Sequence, residues 1–552
     1  MKTNRKEKTL FYNATVITMN TNNDIYDSVY VEDGIIKDVG FYDAMKDKYK
    51  DSNITKIDLK GHALMPGFIE PHAHFDLCSM VSQMASVSGI EFETSENVVK
   101  QLKKVIKETP KGKWIMCFGL DYLINPDLPV VSRYDLDKLT SDHPVTIIIQ
   151  SMHTIFCNSL ALKLAGITKD TKDTRDGHCL KDENGEPTGV LTEQSFLIPF
   201  VKLWLKDLHK DPIEMLKEEV MLWKKLGVTT TWTAGYFSIY PDHFNLMNKF
   251  FNDPNTPLRG DYALSFNSVE SGHISDADLH IKPTKKVHFT GIKAWYDGSP
   301  YTGNTFMYEN YLENPIMQEK LFIPPNQHGE RLFTQDFFYD MIKKYHKEGY
   351  QLSIHAQGNK AAHEVIEMLD KLLKECPRKD HQHRLEHCAF IDKKDLKKAG
   401  ELGLTISFHV NHLYYYGEAL EELVVGKKIA YDMLPCKSAL NNGIRISLHS
   451  DAPMYSPNPL RVAYGAITRK TRSGLLINPD ECITITEALR GITIDAAYQL
   501  HRDKELGSIE VGKLADFTIL EENPYEVDVD HIKDIKVVTT YLSGRDTDEM
   551  KW

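Results

Sequence analysis

Hydrophobic and polar positions change rhythm along the chain. Residues 8–65 read as short β-strands. Thr9-Leu10-Phe11-Tyr12 and Thr15-Val16-Ile17-Thr18-Met19 are apolar and β-branched runs. Ser28-Val29-Tyr30-Val31 and Gly34-Ile35-Ile36 form a hairpin pattern across Glu32-Asp33-Gly34, where Asp-Gly suits a tight turn. Similar runs return at Gly507-Ser508-Ile509, at 515–520 and at 535–542. Two strand-rich ends suggest one small β domain built from residues 1–65 and 500–552. Between them strands alternate with helical patterns. The buried-strand candidates are 144–149, 228–231, 291–295, 351–354, 405–408 and 444–448, with helices at 360–375 and 392–402. That alternation argues for a parallel sheet with helices outside. A distorted (β/α)8 barrel over 66–76 and 221–499 and an open doubly wound sheet both fit the periodicity. The sequence has no Gly-rich dinucleotide or phosphate-loop fingerprint. Residues 77–220 read as an inserted α+β block with helical stretches at 97–107 and 212–226. Its acidic piece Asp182-Glu183-Asn184-Gly185 lacks the later ligands of a calcium loop and reads as a turn.

Composition narrows the class. The 552 residues are 41% hydrophobic and 26% charged, which excludes a disordered, collagen-like or coiled-coil chain. The net charge of −12, with no long basic block, disfavours nucleic-acid and anionic-membrane partners; the partner expected is a small-molecule substrate. Eight cysteines without a CxxC pair read as reduced thiols in a cytoplasmic protein. The charged start shows no signal peptide, and no run approaches the ~18 apolar residues of a membrane span. Aromatic-rich flanks of the middle region leave a homodimer open.

The candidate chemistry sits at strand ends. In Pro66-Gly67-Phe68-Ile69-Glu70-Pro71-His72-Ala73-His74 an apolar run ends in His-x-His. Residues i and i+2 of a strand share a face, so His72 and His74 are natural paired metal ligands, although a surface histidine pair is the bland alternative. His355, His387 and Asp451 also terminate apolar runs, in the same sense. In a barrel such ends converge on one mouth. Lys293 lies inside the otherwise apolar Gly291-Ile292-Lys293-Ala294-Trp295. A buried lysine is costly unless neutralised or paired. Reaction with carbon dioxide would give a carbamate able to bridge two metal ions. A salt bridge to Asp297, or snorkelling to the rim, is the alternative. Trp295, Tyr301, His153 and His412 are candidates for substrate contacts, whereas Tyr414-Tyr415-Tyr416 reads first as packing. His273, His280 and His501 lie in polar segments and read as solvated.

The ordered set PGFIEPHAH, GIKAWYDGS, SIHAQGNKA, RLEHC and SLHSDAP resembles the amidohydrolase superfamily, and within it the YtcJ-like branch (amidohydrolase family 3). The segment 506–517 resembles that branch's return to the β-sandwich, and His153-Thr154-Ile155-Phe156-Cys157-Asn158-Ser159 a recurrent piece of its inserted domain. The resemblance implies a metal-dependent hydrolase on a distorted (β/α)8 barrel that cleaves a non-peptide C–N bond by metal-activated hydroxide. It implies His72, His74, Lys293 (often carbamylated), His355, His387 and Asp451 as metal ligands, and Asp451 as proton shuttle. Two divalent ions are implied, zinc first, with manganese, iron or nickel as alternatives. Two departures stand out: His449, where many relatives have a small residue, and the histidine-rich His409-Val410-Asn411-His412. A mononuclear deaminase would lack need of Lys293 and would place Glu three residues after His355, where this chain has Gly358. A non-catalytic binding or regulatory protein would show a lost ligand, and all six positions are filled.

Overall fold

A computed structural model describes residues 7–174, 177–236, 242–271 and 282–552. His273 and His280 lie outside the described residues. Eight strands form the central sheet: β1 (Phe68–Ala73), β2 (Val228–Ala234), β3 (Arg259–Ser265), β4 (Phe289–Trp295), β5 (Gln351–Ala356), β6 (Arg384–His387), β7 (Thr405–Phe408) and β8 (Ile446–Leu448). They neighbour one another in chain order, and each ladder is parallel. Of the two arrangements that the alternation allows, the chain adopts the nearly closed barrel. In β2, Val-Thr-Thr-Thr-Trp-Thr-Ala is buried along its whole length, as a parallel strand covered on both faces must be. β1 and β8 close the ring at their C-terminal ends, where Asp451 N–H donates to His72 C=O (3.2 Å) and His74 N–H to Ala452 C=O (2.7 Å). The helix Asn359–Glu375 illustrates the outer layer. Its Ala362, Val365, Ile366, Leu369 and Leu372 recur every three or four residues and bury one face on the sheet.

β3 carries no alternation that marks it as a strand, because Arg259 and Asp261 interrupt it. Both are buried. The Arg259 guanidinium grips Asp516 through two bonds of 2.6 and 2.8 Å, and Asp261 pairs with Arg502 at 3.0 Å.

Two further sheets use the chain ends. One has four strands, in the order Ile35–Gly40, Ser28–Glu32, Lys8–Tyr12, Thr55–Asp58. The other sets Ile25–Tyr26, Thr15–Ile17 and Ala63–Pro66 beside Phe517–Leu520, Val537–Leu542 and Arg545–Asp546 from the far end, the two halves meeting where Ala63–Pro66 pairs with Phe517–Leu520. Phe11, Val29, Leu64, Phe517 and Tyr541 fill the space between them. The Asp33-Gly34 turn has positive φ at both residues (52° and 76°), the geometry that an Asp-Gly hairpin supplies.

A separate six-stranded sheet lies within residues 85–192, with Val145–Ile149 at its centre. Asp182 caps its terminal hairpin, Oδ1 accepting from the N–H groups of Asn184 (2.9 Å) and Glu186 (3.0 Å), which is a turn and not an ion loop. The helix Pro212–Lys225 runs through residue 220, where the sequence pattern ended the insertion. Its Leu216, Val220 and Trp223 share the apolar core of Phe68 and Val228, so this helix packs with the barrel. Among the described residues no helix is long and apolar enough to cross a membrane.

Candidate metal centre

The barrel brings its strand ends to one mouth. His72 and His74 leave β1, His355 ends β5 with Ala356, His387 closes β6, and Asp451 follows β8. Register sets their heights: Trp295 lies opposite His355, Ala356 opposite His387, and Lys293 opposite Ser353, one pleat deeper. The long lysine stem spans that difference. The chain leaves β6 and β8 through left-handed residues, with φ of 71° at His387 and 54° at Asp451. Such conformations cost a side-chain-bearing residue about 1–3 kcal/mol and collect at functional sites.

Three groups of histidine and aspartate have ligand atoms within 4.8 Å of one another: His72, His74 and Asp451; His387, His409 and Asp451; and His72, His387 and His449. Partner atoms fix which nitrogens face inward. His72 Nδ1–H donates to Glu386 Oε2 (2.6 Å), leaving Nε2 with its lone pair 3.6 Å from Asp451 Oδ1. His409 Nε2–H donates to Ser450 C=O (2.9 Å), leaving Nδ1 with its lone pair 3.8 Å from Asp451 Oδ2. His74 Nε2 lies 3.6 Å from Asp451 Oδ1. At His72 and His409, acceptors therefore face acceptors. Asp451 Oδ1, His409 Nδ1 and His355 Nε2 are buried without a hydrogen-bond partner. A divalent cation satisfies this donor set, since neutral imidazole and carboxylate are its ordinary ligands.

Electrostatics agree. Burial holds His72, His355 and His387 well below the usual imidazole range, His74 down to about 4 and His409 down to about 3, so all are neutral and ready to ligate. Burial pushes the Asp451 carboxyl up, with the Lys293 ammonium opposing it. Burial pulls Lys293 down against the attraction of Glu386 and Asp451. Lys293 is fully buried and its Nζ has no hydrogen-bond partner, so it does not snorkel. It does not pair with Asp297 either. That carboxylate accepts from the N–H groups of Gln357 (2.9 Å), Gly358 (2.9 Å) and Phe306 (3.0 Å) and faces His355 Nε2 at 3.7 Å.

Of the six ligand candidates, His72, His74, His387 and Asp451 fall within the metal-sized groups. Lys293 and His355 border them, the His355 ring centroid lying 4.4 Å from that of His387. The substrate candidates divide. Tyr301 O–H is bonded to His412 Nδ1, and the His412 ring lies 3.8 Å from that of His409. His153, from the inserted sheet, is held by Glu193 (2.8 Å) and interacts electrostatically with Asp451. Trp295 stacks beneath Lys293, its ring 5.3 Å from Nζ. Tyr416 is buried and donates to Asp121 (2.6 Å), so the tyrosine run is in part packing. His501 is exposed.

Sequence pattern missed the residues behind the site. Glu386 bridges His72 and Arg384. Glu70 accepts from Ser450 N–H (3.2 Å), Ser450 O–H (2.7 Å) and His72 N–H (3.2 Å), and burial pushes it up to about 8. Each sits one or two residues from a candidate ligand, inside strands that read as apolar, and that charge within a buried run was the available signal.

Comparison with known proteins supplies the remaining findings. The model of the Amidohydrolase family matches residues 55–547. The putative amidohydrolase YtcJ of Bacillus subtilis is 24% identical over 98% of this chain and 99% of its own length. The N-substituted formamide deformylase of Arthrobacter pascens is 24% identical over 97% of each chain. A crystal structure of an uncharacterised metal-dependent hydrolase from Pyrococcus horikoshii superposes with a TM-score of 0.73 at 19% identity, covering 95% of this chain and 99% of the other.

Proposed function

Because the chain belongs to the amidohydrolase family, metal-dependent hydrolases acting on carbon–nitrogen bonds, we propose that it cleaves a non-peptide C–N bond of a small molecule: an amide, N-acyl amine, N-formyl compound or cyclic amide. The observation that carries this reading is the meeting of His72 Nε2 and His409 Nδ1 with the Asp451 carboxylate, where ring lone pairs face carboxylate oxygens and His74 Nε2 stands 3.6 Å away. In this reading His72, His74, Lys293, His355, His387 and Asp451 hold two divalent ions, zinc first and manganese, iron or nickel as alternatives. Bound ions of this kind polarise a carbonyl and lower the pKa of water to roughly 7.

Each residue then has a task. Asp451, its proton affinity raised by burial, takes a proton from the attacking water and passes it to the leaving nitrogen. Lys293, whose hold on its proton burial weakens, adds carbon dioxide through its neutral amine form and loses one proton, leaving a carbamate anion where an ammonium is costly. Tyr301, His412 and His153 offer polar contacts to the substrate, and Trp295 an apolar plate. Eight free thiols fit a reducing, cytoplasmic setting.

The deaminase reading has less support. A Cβ at Gly358 would lie 2.0 Å from Phe306 C=O, so no acidic side chain fits three residues after His355. The test is metal content per chain on protein purified without added metal or chelator, by plasma mass spectrometry. Two equivalents are expected. One would favour the mononuclear deaminase and remove the case for a carbamate. None, with no restoration by zinc or manganese, would overturn the hydrolase.

A further inference from the structure

His449 lies among the candidate ligands, its ring stacked on that of His72 at 4.6 Å. Its nitrogens are nevertheless both engaged. Nδ1 is 2.8 Å from Ser407 Oγ, and Nε2 is 3.1 Å from His387 Nδ1. Ser407 Oγ lies 2.8 Å from Ser447 Oγ, which lies 2.7 Å from Gln499 Oε1. Taken from the middle, this buried chain has two self-consistent directions. In one, hydrogens run toward His387 and leave it with an N–H at Nε2. In the other they run away and leave Nε2 with a lone pair.

Gln499 breaks the tie. Its Nε2 donates to Ile406 C=O at 2.9 Å, so its Oε1 faces Ser447 and can only accept. Ser447 Oγ is placed to donate both to Ser407 Oγ (2.8 Å) and to Gln499 Oε1 (2.7 Å), but it has one hydrogen, and the Gln499 carbonyl, which can only accept and has no other donor among the described residues, takes it. Ser407 must then donate to Ser447, and its lone pair accepts from His449 Nδ1–H. His449 Nε2 is left as an acceptor, and it takes the hydrogen of His387 Nδ1. The Nε2 of His387 therefore presents a lone pair.

From this geometry we infer that His449 is a positioning residue: the chain Gln499–Ser447–Ser407–His449 sets the tautomer of His387 so that Nε2 is free to ligate an ion. His449 itself has no nitrogen to spare. This resolves the overlapping groups, because His72–His387–His449 loses one member while the two groups that contain Asp451 keep theirs. The device reaches from the helix Ile494–Gln499 through β8 and β7 to the end of β6. The inference rests on the metal-hydrolase reading only for the purpose of the tautomer; the tautomer itself does not depend on it.

Two measurements test it. Metal-free full-length protein, labelled with ring-15N histidine, should show His387 as the Nδ1–H tautomer, its signals identified by their loss in His387→Gln. Ser447→Ala frees the Ser407 hydrogen to point at His449 Nδ1, so a shift of His387 toward Nε2–H is expected. Zinc affinity is then measured by chelator competition. His449→Phe should lose about 10–100-fold for one ion, the usual cost of removing an outer-layer partner. His449→Gln, which offers one donor and one acceptor, should stay close to the native value. An Nε2–H His387 in native metal-free protein would overturn the inference. So would equal losses in the Gln and Phe variants with intact melting temperatures, which would make His449 a ligand. Native protein that binds no zinc would sink the hydrolase reading, while the tautomer measurement would still decide this one.

Discussion

A histidine ligates an ion only through a nitrogen that carries no hydrogen, so the group on its other nitrogen decides what it can do. His72 has Glu386 in that place, and Glu386 in turn pairs with the buried Arg384 guanidinium, which also donates to Pro71 C=O at 2.8 Å. Replacing Glu386 by Gln removes the charge that makes His72 basic and leaves Arg384 without its counter-ion. Metal affinity by chelator competition is expected to fall about 10–100-fold. Asp451 acts differently. It is isosteric with Asn, but Asn cannot take up and release a proton. Asp451→Asn should cut kcat by about 100-fold or more against a cleaved amide while far-UV circular dichroism stays native. Survival of full turnover would remove Asp451 from proton transfer.

At the scale of elements the barrel has two ends with opposite histidine chemistry. The mouth leaves lone pairs unpartnered. The other end, where β5 and β6 begin, satisfies every one. His346 Nε2–H donates to Cys376 C=O, His383 Nε2–H to His346 Nδ1 (2.8 Å), and His381 Nε2–H to Leu402 C=O, while Leu352 N–H and His383 N–H donate to the remaining ring nitrogens. All three rings are neutral in this pattern, and burial lowers all three pKa values from 6.5. The stability they contribute is present above about pH 6.5 and lost as pH falls through the folded values, because the unfolded chain binds more protons there. Urea unfolding should therefore show native protein losing more stability between pH 7 and pH 5 than His383→Gln does. Much of the mouth was legible in the sequence, because apolar runs ending in His-x-His, His or Asp are visible locally. The network behind it was not. His449 meets its partners 42 and 62 residues away, and Arg259 finds Asp516 at a separation of 257, so no local window shows why either is buried. β3 escaped notice for the same reason. Lys293 was marked by its charge in an apolar strand, and its burial without a partner follows from that same contrast.

Across its seams the molecule combines an apolar core, in which Ile17, Met65 and Leu520 of the terminal sheet join Phe68 and Val228 of the barrel, with specific polar contacts. Tyr416 O–H ties the barrel to Asp121 of the inserted sheet (2.6 Å), and Arg472 reaches Gly89 C=O (3.1 Å). The deepest seam joins β3 to the terminal sheet through Arg259 and Asp516, with side chains 1% and 4% exposed. Two bonds to one carboxylate fix both distance and angle, and Asp516 Oδ1 also accepts from Ser543 N–H (2.8 Å). Two charges taken out of water gain little net stability over a well-packed apolar pair, but one alone is expensive. Asp516→Ala strands a buried guanidinium and should cost about 3–5 kcal/mol in urea unfolding. Arg259→Met combined with Asp516→Leu removes both charges and should recover most of that loss. If the double variant were as unstable as the single one, the seam would depend on the ion pair itself, and the terminal sheets would be docked by charge. If it recovers, the pair sets the angle at which those sheets meet the barrel, and the packing around it supplies the stability.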